Sequence, residues 1–178
     1  DMGVLGTTII WFEHAEDGPT PRPQDQYRQM AMSSVGTHDL PPTLAFLRGD
    51  HIALRARLGL LTRPVAEEEA EDRAWQEKVK DNLQAYGMLD NRESEEDMLV
   101  ALHRYIAGTP SALTVTNLVD MVGDVRAQNQ PGTTKDQYPN WCIPLCDTAG
   151  KPVLLEDLPK QELYQRLAQA ATRPGAER

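Results

Sequence analysis

Basic residues are scarce in this chain relative to acidic ones, and long apolar runs are absent from it. Of its 178 residues, 18 are Lys or Arg and 27 are Asp or Glu, which gives a formal net charge of −9. Nucleic-acid binding needs a basic face that neutralises phosphates, so this balance argues against nucleic acid as a partner. No apolar run approaches the roughly 20 residues of a membrane span, so we expect no membrane partner either.

Cysteine is also scarce, since only Cys142 and Cys146 occur, at C-x3-C spacing. Zinc sites need four ligands, commonly in two pairs, and the four histidines are scattered along the chain. Free thiols in a reducing compartment are the expected state, with a disulfide or a metal clip as the alternative. The sequence motifs of phosphate loops, dinucleotide sites, zinc proteases and serine hydrolases are absent as well.

The composition is that of a globular protein, with 40% hydrophobic and 25% charged residues. The first residue is Asp1 rather than methionine, and an apolar, strand-like segment follows almost at once. We therefore expect the N-terminus to be a cut inside a longer chain. No basic segment followed by an apolar signal region is visible, and we expect a cytoplasmic location.

Apolar periodicity predicts a mixture of strands and helices. Strands are expected at residues 6–13, 30–35 and 112–116, and helices after Pro41-Pro42, after a cap at Asp50, at 67–86, after a capping box at Ser94, at 118–122 and at 157–172. Parallel strands joined by helices fit a segment of a (β/α) barrel. Three strands are too few to close a barrel, which again suggests a part of a longer chain.

The most informative segment is residues 37–41, Thr-His-Asp-Leu-Pro, which follows the second predicted strand. Polar groups at the carboxyl end of a parallel strand are typical of active sites in α/β enzymes. Asp39 could accept hydrogen bonds from two sugar hydroxyls, and His38 could donate to a third. The alternative is that Asp39 caps the following helix and His38 is a satisfied, partly buried histidine.

Further along the chain lies an amide-rich segment, residues 128–133. Its amides could bind neutral hydroxyls without a charge penalty, or the segment could be a solvated turn. Trp141 could stack on a sugar ring, or it could close a core. Glu13, at the end of the first predicted strand, could face a cleft or lie at its rim.

Four segments of the sequence resemble, in their order, the C-terminal part of the catalytic barrel of bacterial 4-alpha-glucanotransferases, the amylomaltase family. They are residues 6–13 (Gly-Thr-Thr-Ile-Ile-Trp-Phe-Glu), 34–41 (Ser-Val-Gly-Thr-His-Asp-Leu-Pro), 128–133 (Gln-Asn-Gln-Pro-Gly-Thr) and 138–141 (Tyr-Pro-Asn-Trp). The Thr-His-Asp step is shared with related alpha-amylase-type enzymes, so the four segments together are much more specific than that step alone. The resemblance extends to about residue 171, nearly the whole chain.

The resemblance implies an α/β fold that forms the C-terminal portion of a (β/α)8 barrel, about strands six to eight and their helices, with residues 1–178 as a single segment. It implies an enzyme that transfers segments of alpha-1,4-glucans to glucose or other glucans with retention, without an organic cofactor or an obligatory metal. By motif match, Asp39 would be a catalytic carboxylate that stabilises the transition state. His38 would hold the glucose at the cleavage site, and Asn129 would bind the glucan.

The sequence departs from the family at the other catalytic groups. The family's nucleophilic Asp and acid/base Glu precede the segment that matches residues 6–13, and neither Glu13 nor another carboxylate here matches their motifs. We therefore expect this chain to be an inactive part of a 4-alpha-glucanotransferase. The alternative is a stand-alone carbohydrate-binding or regulatory module. An incomplete barrel would expose apolar strand faces, so the chain is also expected to self-associate or to loosen around its first two strands.

Overall fold

The structure is a computed structural model, and it describes residues 3–90 and 94–173. Its elements within those ranges are β1 (Gly6–Ile9), β2 (Ala31–Ser34), α1 (Thr43–Arg48), α2 (Asp50–Arg57), α3 (Val65–Ala85), α4 (Glu95–Ala107), β3 (Leu113–Val115), α5 (Leu118–Val122) and α6 (Glu162–Ala170). Short 3-10 turns occupy Ile10–Phe12, Gln24–Gln26 and Leu155–Lys160. Asp1, on which the expectation of a cut chain rests, lies outside the described residues.

The three strands form one parallel sheet in the order β1-β2-β3. Ile9 pairs with Ser34, and Ser34 pairs with Val115, so the carboxyl ends of all three strands lie side by side. Parallel strands need crossover connections, and the helices between β2 and β3 provide one. The α/β class and the parallel pairing predicted from the sequence are confirmed.

The two faces of the sheet differ in burial. Thr8 and Ser33 are buried on one face, where their hydroxyl oxygens lie 2.5 Å apart. Leu113 and Val115 on β3 remain 51% and 39% exposed. Since alternate residues of a strand share a face, these two apolar side chains lie together on a surface that the described residues leave exposed to solvent.

The core lies where helices cover the sheet. Val79 and Leu83 of α3 pack with Leu102, Tyr105 and Ile106 of α4, together with a larger set that includes Ile10, Trp11, Tyr27 and Val35. A second cluster joins α4 to α6 through Leu99, Val100, Leu163 and Leu167. Most apolar residues of α3 and α4 are buried in these clusters, whereas Tyr86, just after α3, remains 40% exposed. Within the described ranges, no helix is both long and apolar enough to cross a membrane.

The start of α4 agrees with its predicted capping box. The Ser94 hydroxyl accepts a hydrogen bond from the Asp97 backbone N–H at 3.2 Å, and the Asp97 carboxylate accepts one from the Ser94 N–H at 2.8 Å. Both bonds satisfy backbone donors that the first turn of a helix leaves unpaired. The acidic first turn also suits the helix dipole.

Three predicted boundaries were wrong. The strand predicted at residues 6–13 ends at Ile9, because the chain then turns in a 3-10 turn that buries Ile10 and Trp11. Asp50 does not cap α2: Gly49, at φ 76°, ends α1 and precedes α2, and no side chain caps it. The helix predicted at 157–172 is divided into the turn Leu155–Lys160 and α6, because Gln161 between them has an extended backbone, with ψ 126°.

Candidate functional site

His38 and Asp39 lie in the turn between β2 and α1, beyond the carboxyl end of the central strand. Their side chains are 64% and 52% exposed. The position and the accessibility expected of Asp39 are thus confirmed, and Asp39 neither caps α1 nor forms a core ion pair. Thr37 shapes the turn, because its hydroxyl oxygen accepts a hydrogen bond from the Asp39 backbone N–H at 3.3 Å.

Both carboxylate oxygens of Asp39 have a partner from the predicted site. The Asn129 side-chain amide donates to Asp39 Oδ1 at 2.6 Å, although the two residues are 90 positions apart in sequence. His38 Nε2 lies 3.3 Å from Asp39 Oδ2. The structure therefore brings together Asp39, His38 and Asn129, all three of the candidate site residues. A carboxylate held between an amide and an imidazole keeps free lone pairs for ligand hydroxyls.

Trp141 extends this group on the side of His38. The two ring centroids are 5.2 Å apart, and Trp141 is 62% exposed. Its backbone has a φ of 61°, which non-glycine residues rarely adopt, and its N–H donates to the Gln128 carbonyl oxygen at 2.8 Å. Trp141 therefore does not close a core, and its ring is available beside the carboxylate.

The amide-rich segment, residues 128–133, is fixed by hydrogen bonds within its own loop. The Gln130 N–H donates to the Asn140 side-chain oxygen at 2.7 Å, and the Asn140 amide donates to the Thr133 hydroxyl at 2.9 Å. The Thr133 hydroxyl in turn donates to the Gln130 carbonyl oxygen at 2.7 Å. This segment is thus an ordered platform rather than a solvated turn, and Asn129 projects from it to Asp39.

Asp124 anchors the same loop, and the sequence analysis missed it. The carboxylate is 2% exposed and accepts hydrogen bonds from the Arg126 guanidinium at 2.9 and 2.7 Å and from the Cys146 N–H at 2.9 Å. Arg126 also donates to the Pro144 carbonyl oxygen at 2.6 Å. Residues 124 and 146 are thereby tied together, and the segment between them carries Asn129 and Trp141.

Asp120 anchors the other side of the site and was also missed. It is 1% exposed, and it accepts hydrogen bonds from the backbone N–H and the hydroxyl of Thr43, both at 2.8 Å. Thr43 is the first residue of α1, so Asp120 fixes the point where the chain leaves the His38-Asp39 turn. His103 Nε2 lies 3.8 Å from the Asp120 carboxylate. Burial raises the pKa of Asp120, and its partners oppose that effect.

Beside Asp39 lies a cleft of about 470 Å³, which we call the Asp39 cleft. Its lining combines aromatic, apolar and polar side chains: Trp11, Phe12, Asp39, Leu40, Pro41, Phe46, His51, Arg55, Leu60, Gln130 and Pro131. Phe12 is 60% exposed and was not singled out in the sequence, although its place just after an apolar strand was a usable signal. Apolar walls with a few polar groups are usual for small-molecule sites.

The remaining candidates do not join this group. Glu13 forms an ion pair with Arg22 at 2.9 Å, and its side chain is 16% exposed, so it is not a free group in the cleft. Cys142 is exposed and Cys146 is buried, and both are free thiols, which excludes the disulfide alternative in this structure. Within residues 3–90 and 94–173, no group of His, Cys, Asp or Glu is arranged to hold a metal ion.

Comparison with known sequences relates the chain to glucan-transferring enzymes. The family model described as 4-alpha-glucanotransferase matches residues 1–148. A 4-alpha-glucanotransferase of Mycobacterium tuberculosis is 48% identical over 173 residues, which cover 94% of this chain and 24% of that protein. The enzyme of the same description from Haemophilus influenzae is 26% identical over 151 residues, which cover 80% of this chain and 21% of that protein. The chain thus spans about a quarter of the length of these relatives.

Comparison with solved structures gives a consistent result. The crystal structure of amylomaltase from Corynebacterium glutamicum matches this chain with a TM-score of 0.91 and 51% sequence identity. The match covers 96% of this chain and 26% of that one. The amylomaltase from Streptococcus agalactiae in complex with acarbose is 20% identical, with a TM-score of 0.52 over 96% of this chain and 27% of that one. At this lower identity the likeness concerns the fold alone.

Proposed function

The chain belongs to the 4-alpha-glucanotransferase family, and from this membership we propose that it supplies the sugar-holding part of a glucanotransferase active site. The reaction is the transfer of a segment of an alpha-1,4-glucan to glucose or to another glucan, with retention of configuration. The ligands are therefore maltooligosaccharides and longer alpha-1,4-glucans. Acarbose, which the Streptococcus agalactiae enzyme binds, is a suitable probe of the same site.

In this proposal, residues 1–178 are one segment of a catalytic (β/α)8 barrel and contribute about strands six to eight with their helices. The parallel order β1-β2-β3 and the helical crossover between β2 and β3 support it. The site residues lie beyond the carboxyl end of the central strand and in the loop after α5. In barrels of this type the active site is built at that end of the strands.

The contact that carries the proposal is the hydrogen bond from Asn129 to Asp39. It leaves the exposed carboxylate oriented, with His38 at its other oxygen, so that it can accept hydrogen bonds from two neighbouring sugar hydroxyls. We assign to Asp39 the binding and stabilisation of the distorted sugar ring in the transition state. His38 and Asn129 bind the glucan and hold that carboxylate in place.

Retaining transfer also needs a nucleophilic carboxylate and an acid/base carboxylate about 5 Å apart. Asp39 takes neither role in this proposal, and Glu13 is held by Arg22. The chain by itself is therefore proposed to bind glucans without transferring them. Transfer of a glycosyl group moves no electrons to a carrier, so the proposed reaction requires no redox cofactor.

Calorimetric titration of the 178-residue chain with maltoheptaose and with acarbose tests the proposal. We expect Asp39→Asn and Asn129→Ala each to weaken binding roughly tenfold or more, since each removes an oriented hydrogen-bonding group worth at least ~1.4 kcal/mol. The matched control is Asp136→Asn, the same change at an exposed position, which should leave binding unchanged. Unaltered affinity in Asp39→Asn would contradict the proposal.

We also propose a cytoplasmic location, which the free state of both cysteines supports. Fractionation of the source cells, with detection by an antibody, would test it. Recovery in an extracellular or periplasmic fraction would contradict it.

A further inference from the structure

A second cleft of about 470 Å³ adjoins the Asp39 cleft, and Trp11 lines both. We call it the α2–α3 cleft and define it by Trp11, His14, His51, Arg55, Asp72 and Trp75, which are among its lining residues. Trp11, His51 and Arg55 line both clefts, so the two share a wall. Its volume lies within the range of about 300–1,000 Å³ that is typical of ligand sites.

Aromatic rings form much of this cleft. The rings of His14 and Trp75 have centroids 4.4 Å apart, and Phe46 stacks on His51 at 4.7 Å with an interplanar angle of 14°. Phe46 also contacts Trp11 at 4.3 Å, which links the aromatic walls of the two clefts. The indole N–H of Trp75 is buried and has no hydrogen-bond acceptor among the residues that the structure describes. A polar donor within an aromatic wall is suited to a hydroxylated ring.

Positive and negative side chains balance in the lining of the α2–α3 cleft: its cations are Arg55, Arg63 and Lys78, and its carboxylates are Glu68, Glu71 and Asp72. Arg63 donates to Glu68 at 3.0 Å and to Glu71 at 2.5 Å, and Lys78 donates to the Pro19 carbonyl oxygen at 2.8 Å. The lowered pKa of Glu68 has Arg63 as its main cause and Arg55 as a further one, so Arg55 also lies near this carboxylate. Because the formal charges cancel, the lining favours a neutral ligand.

His51 and Asp72 belong to the same lining, and the Asp72 carboxylate, which accepts a hydrogen bond from the Gln76 side-chain amide at 2.9 Å, keeps further lone pairs for a ligand. His51 Nε2 and the Asp72 carboxylate lie 3.9 Å apart, and each side chain is 14% exposed. Burial lowers the pKa of His51, so its imidazole is neutral near pH 7 and can exchange hydrogen bonds with hydroxyl groups. A neutral imidazole and a carboxylate beside stacked rings match the requirements of a sugar: apolar contact on its face and hydrogen bonds at its edge.

We propose that the α2–α3 cleft is a second saccharide-binding site, separated from the Asp39 cleft by the wall of Trp11 and His51. Its ligand is a neutral glucose-containing oligosaccharide. The choice of an alpha-glucan rests on the proposed function, whereas the choice of an uncharged, hydroxylated ring rests on the cleft itself. Residues of this chain line the cleft on the first 3-10 turn, the following loop, α2 and α3, so the 178-residue chain is sufficient to test it.

Nuclear magnetic resonance of the three tryptophan indole groups separates the two sites. Trp141 lies beside His38 and reports on the His38-Asp39 site, whereas Trp75 lines the α2–α3 cleft and reports on it. Titration with maltotriose should shift both indole resonances, with Asp39→Asn suppressing the Trp141 response only. Replacement of each Trp by Phe assigns the resonances.

Ala74 provides a blocking position, since it is exposed on α3 and lines the α2–α3 cleft. We expect Ala74→Phe to fill the cleft and to weaken the Trp75-detected binding roughly tenfold or more, with Trp141-detected binding unchanged. Ala70→Phe is the matched control, because Ala70 is also exposed on α3 but does not line the cleft.

The outcomes distinguish the two proposals. A Trp75 resonance that stays fixed at saturating maltotriose while Trp141 shifts would overturn the second site and leave the proposed function standing. A Trp75 response that persists in Ala74→Phe would overturn its location. A Trp75 response that Ala74→Phe removes, without any response at Trp141, would support the second site and contradict the assignment of the Asp39 cleft.

Discussion

Asp120 links the turn that carries His38 and Asp39 to the core through a pair of hydrogen bonds to Thr43. We expect Asp120→Ala to lower the free energy of unfolding by about 3–5 kcal/mol, because it leaves two buried donors of Thr43 without an acceptor and removes the carboxylate beside the buried His103 side chain. Urea unfolding followed by circular dichroism measures the loss. Asp81→Ala, at an exposed position of α3, should stay within about 0.5 kcal/mol of the parent chain. Equal losses in the two variants would contradict this role.

Asp72 is the subject of a second prediction at the residue scale, because burial raises its pKa to about 6 from its ordinary value of 3.8. Between those values the native state binds more protons than the unfolded state, so the contribution of Asp72 to stability falls as the pH rises. Asp72→Asn removes this penalty and can still accept the hydrogen bond from Gln76. We expect the variant to be about 1–2 kcal/mol more stable at pH 7.5.

Urea unfolding at pH 3.5 and at pH 7.5 tests that expectation. At pH 3.5 the advantage of Asp72→Asn should nearly vanish, because Asp72 is protonated in the native state and mostly protonated in the unfolded state, where its pKa is about 3.9. The lowered pKa of His51 acts in the opposite direction, since its protonation opposes folding in acid. A difference that is independent of pH would show that packing, and not ionisation, distinguishes the variants.

At this scale the family resemblance predicted that Asp39, His38 and Asn129 belong to one site, because matching motifs assign roles to positions that are distant in the chain. It missed Asp120 and Asp124. The partner of Asp120 is 77 residues away, and that of Asp124 includes a backbone N–H 22 residues away. The Asp120 contact leaves no local pattern, because its donors belong to a distant threonine. Asp124 has a local donor in Arg126, but its hydrogen bond with the Cys146 N–H, which anchors the loop, exists only because the fold brings residue 146 back to Asp124.

At the scale of elements, the capping box of α4 offers a direct test. Ser94→Ala removes the acceptor for the Asp97 backbone N–H, and we expect a loss of about 1 kcal/mol in stability, measured by thermal unfolding. Ser94→Asp keeps an acceptor at this position and should restore most of that loss. If both substitutions destabilise the chain equally, the cap is not the cause.

Element boundaries show where local patterns stop being informative. The capping box predicted the start of α4 because its two hydrogen bonds are made within four residues. The predicted end of β1 was wrong because Ile10 and Trp11 are apolar and so fit a strand. In the structure, a 3-10 turn buries these two residues in the core instead. The break of the last predicted helix at Gln161 was not visible in the sequence, because Pro159 lies in the first turn of that predicted helix, where proline is tolerated.

For the molecule as a whole, we expect no glucose above background when the purified chain is incubated with maltotriose. The proposed site holds the sugar but lacks assigned nucleophilic and acid/base carboxylates, and loss of such a group alone costs many orders of magnitude in rate. A coupled glucose assay makes the measurement, with the Asp39→Asn variant alongside. Turnover that vanishes in Asp39→Asn would show that the catalytic carboxylates are within this chain and were misassigned.

The last prediction concerns the sheet. Its solvent-exposed face carries Leu113 and Val115, and three strands are paired within the described residues. Exposed apolar area costs about 25 cal/mol per Å², and open strand edges template pairing with another chain. We expect the chain to self-associate through this face, or to loosen around β1 and β2 while its helices stay ordered. Light scattering coupled to size exclusion, with hydrogen exchange on β1 and β2, measures both effects. Leu113→Lys should reduce association, whereas Leu155→Lys, at a 70% exposed leucine outside the sheet, should not. A monomer of about 20 kDa with both strands strongly protected would refute the prediction, since 19.9 kDa is the mass of one chain.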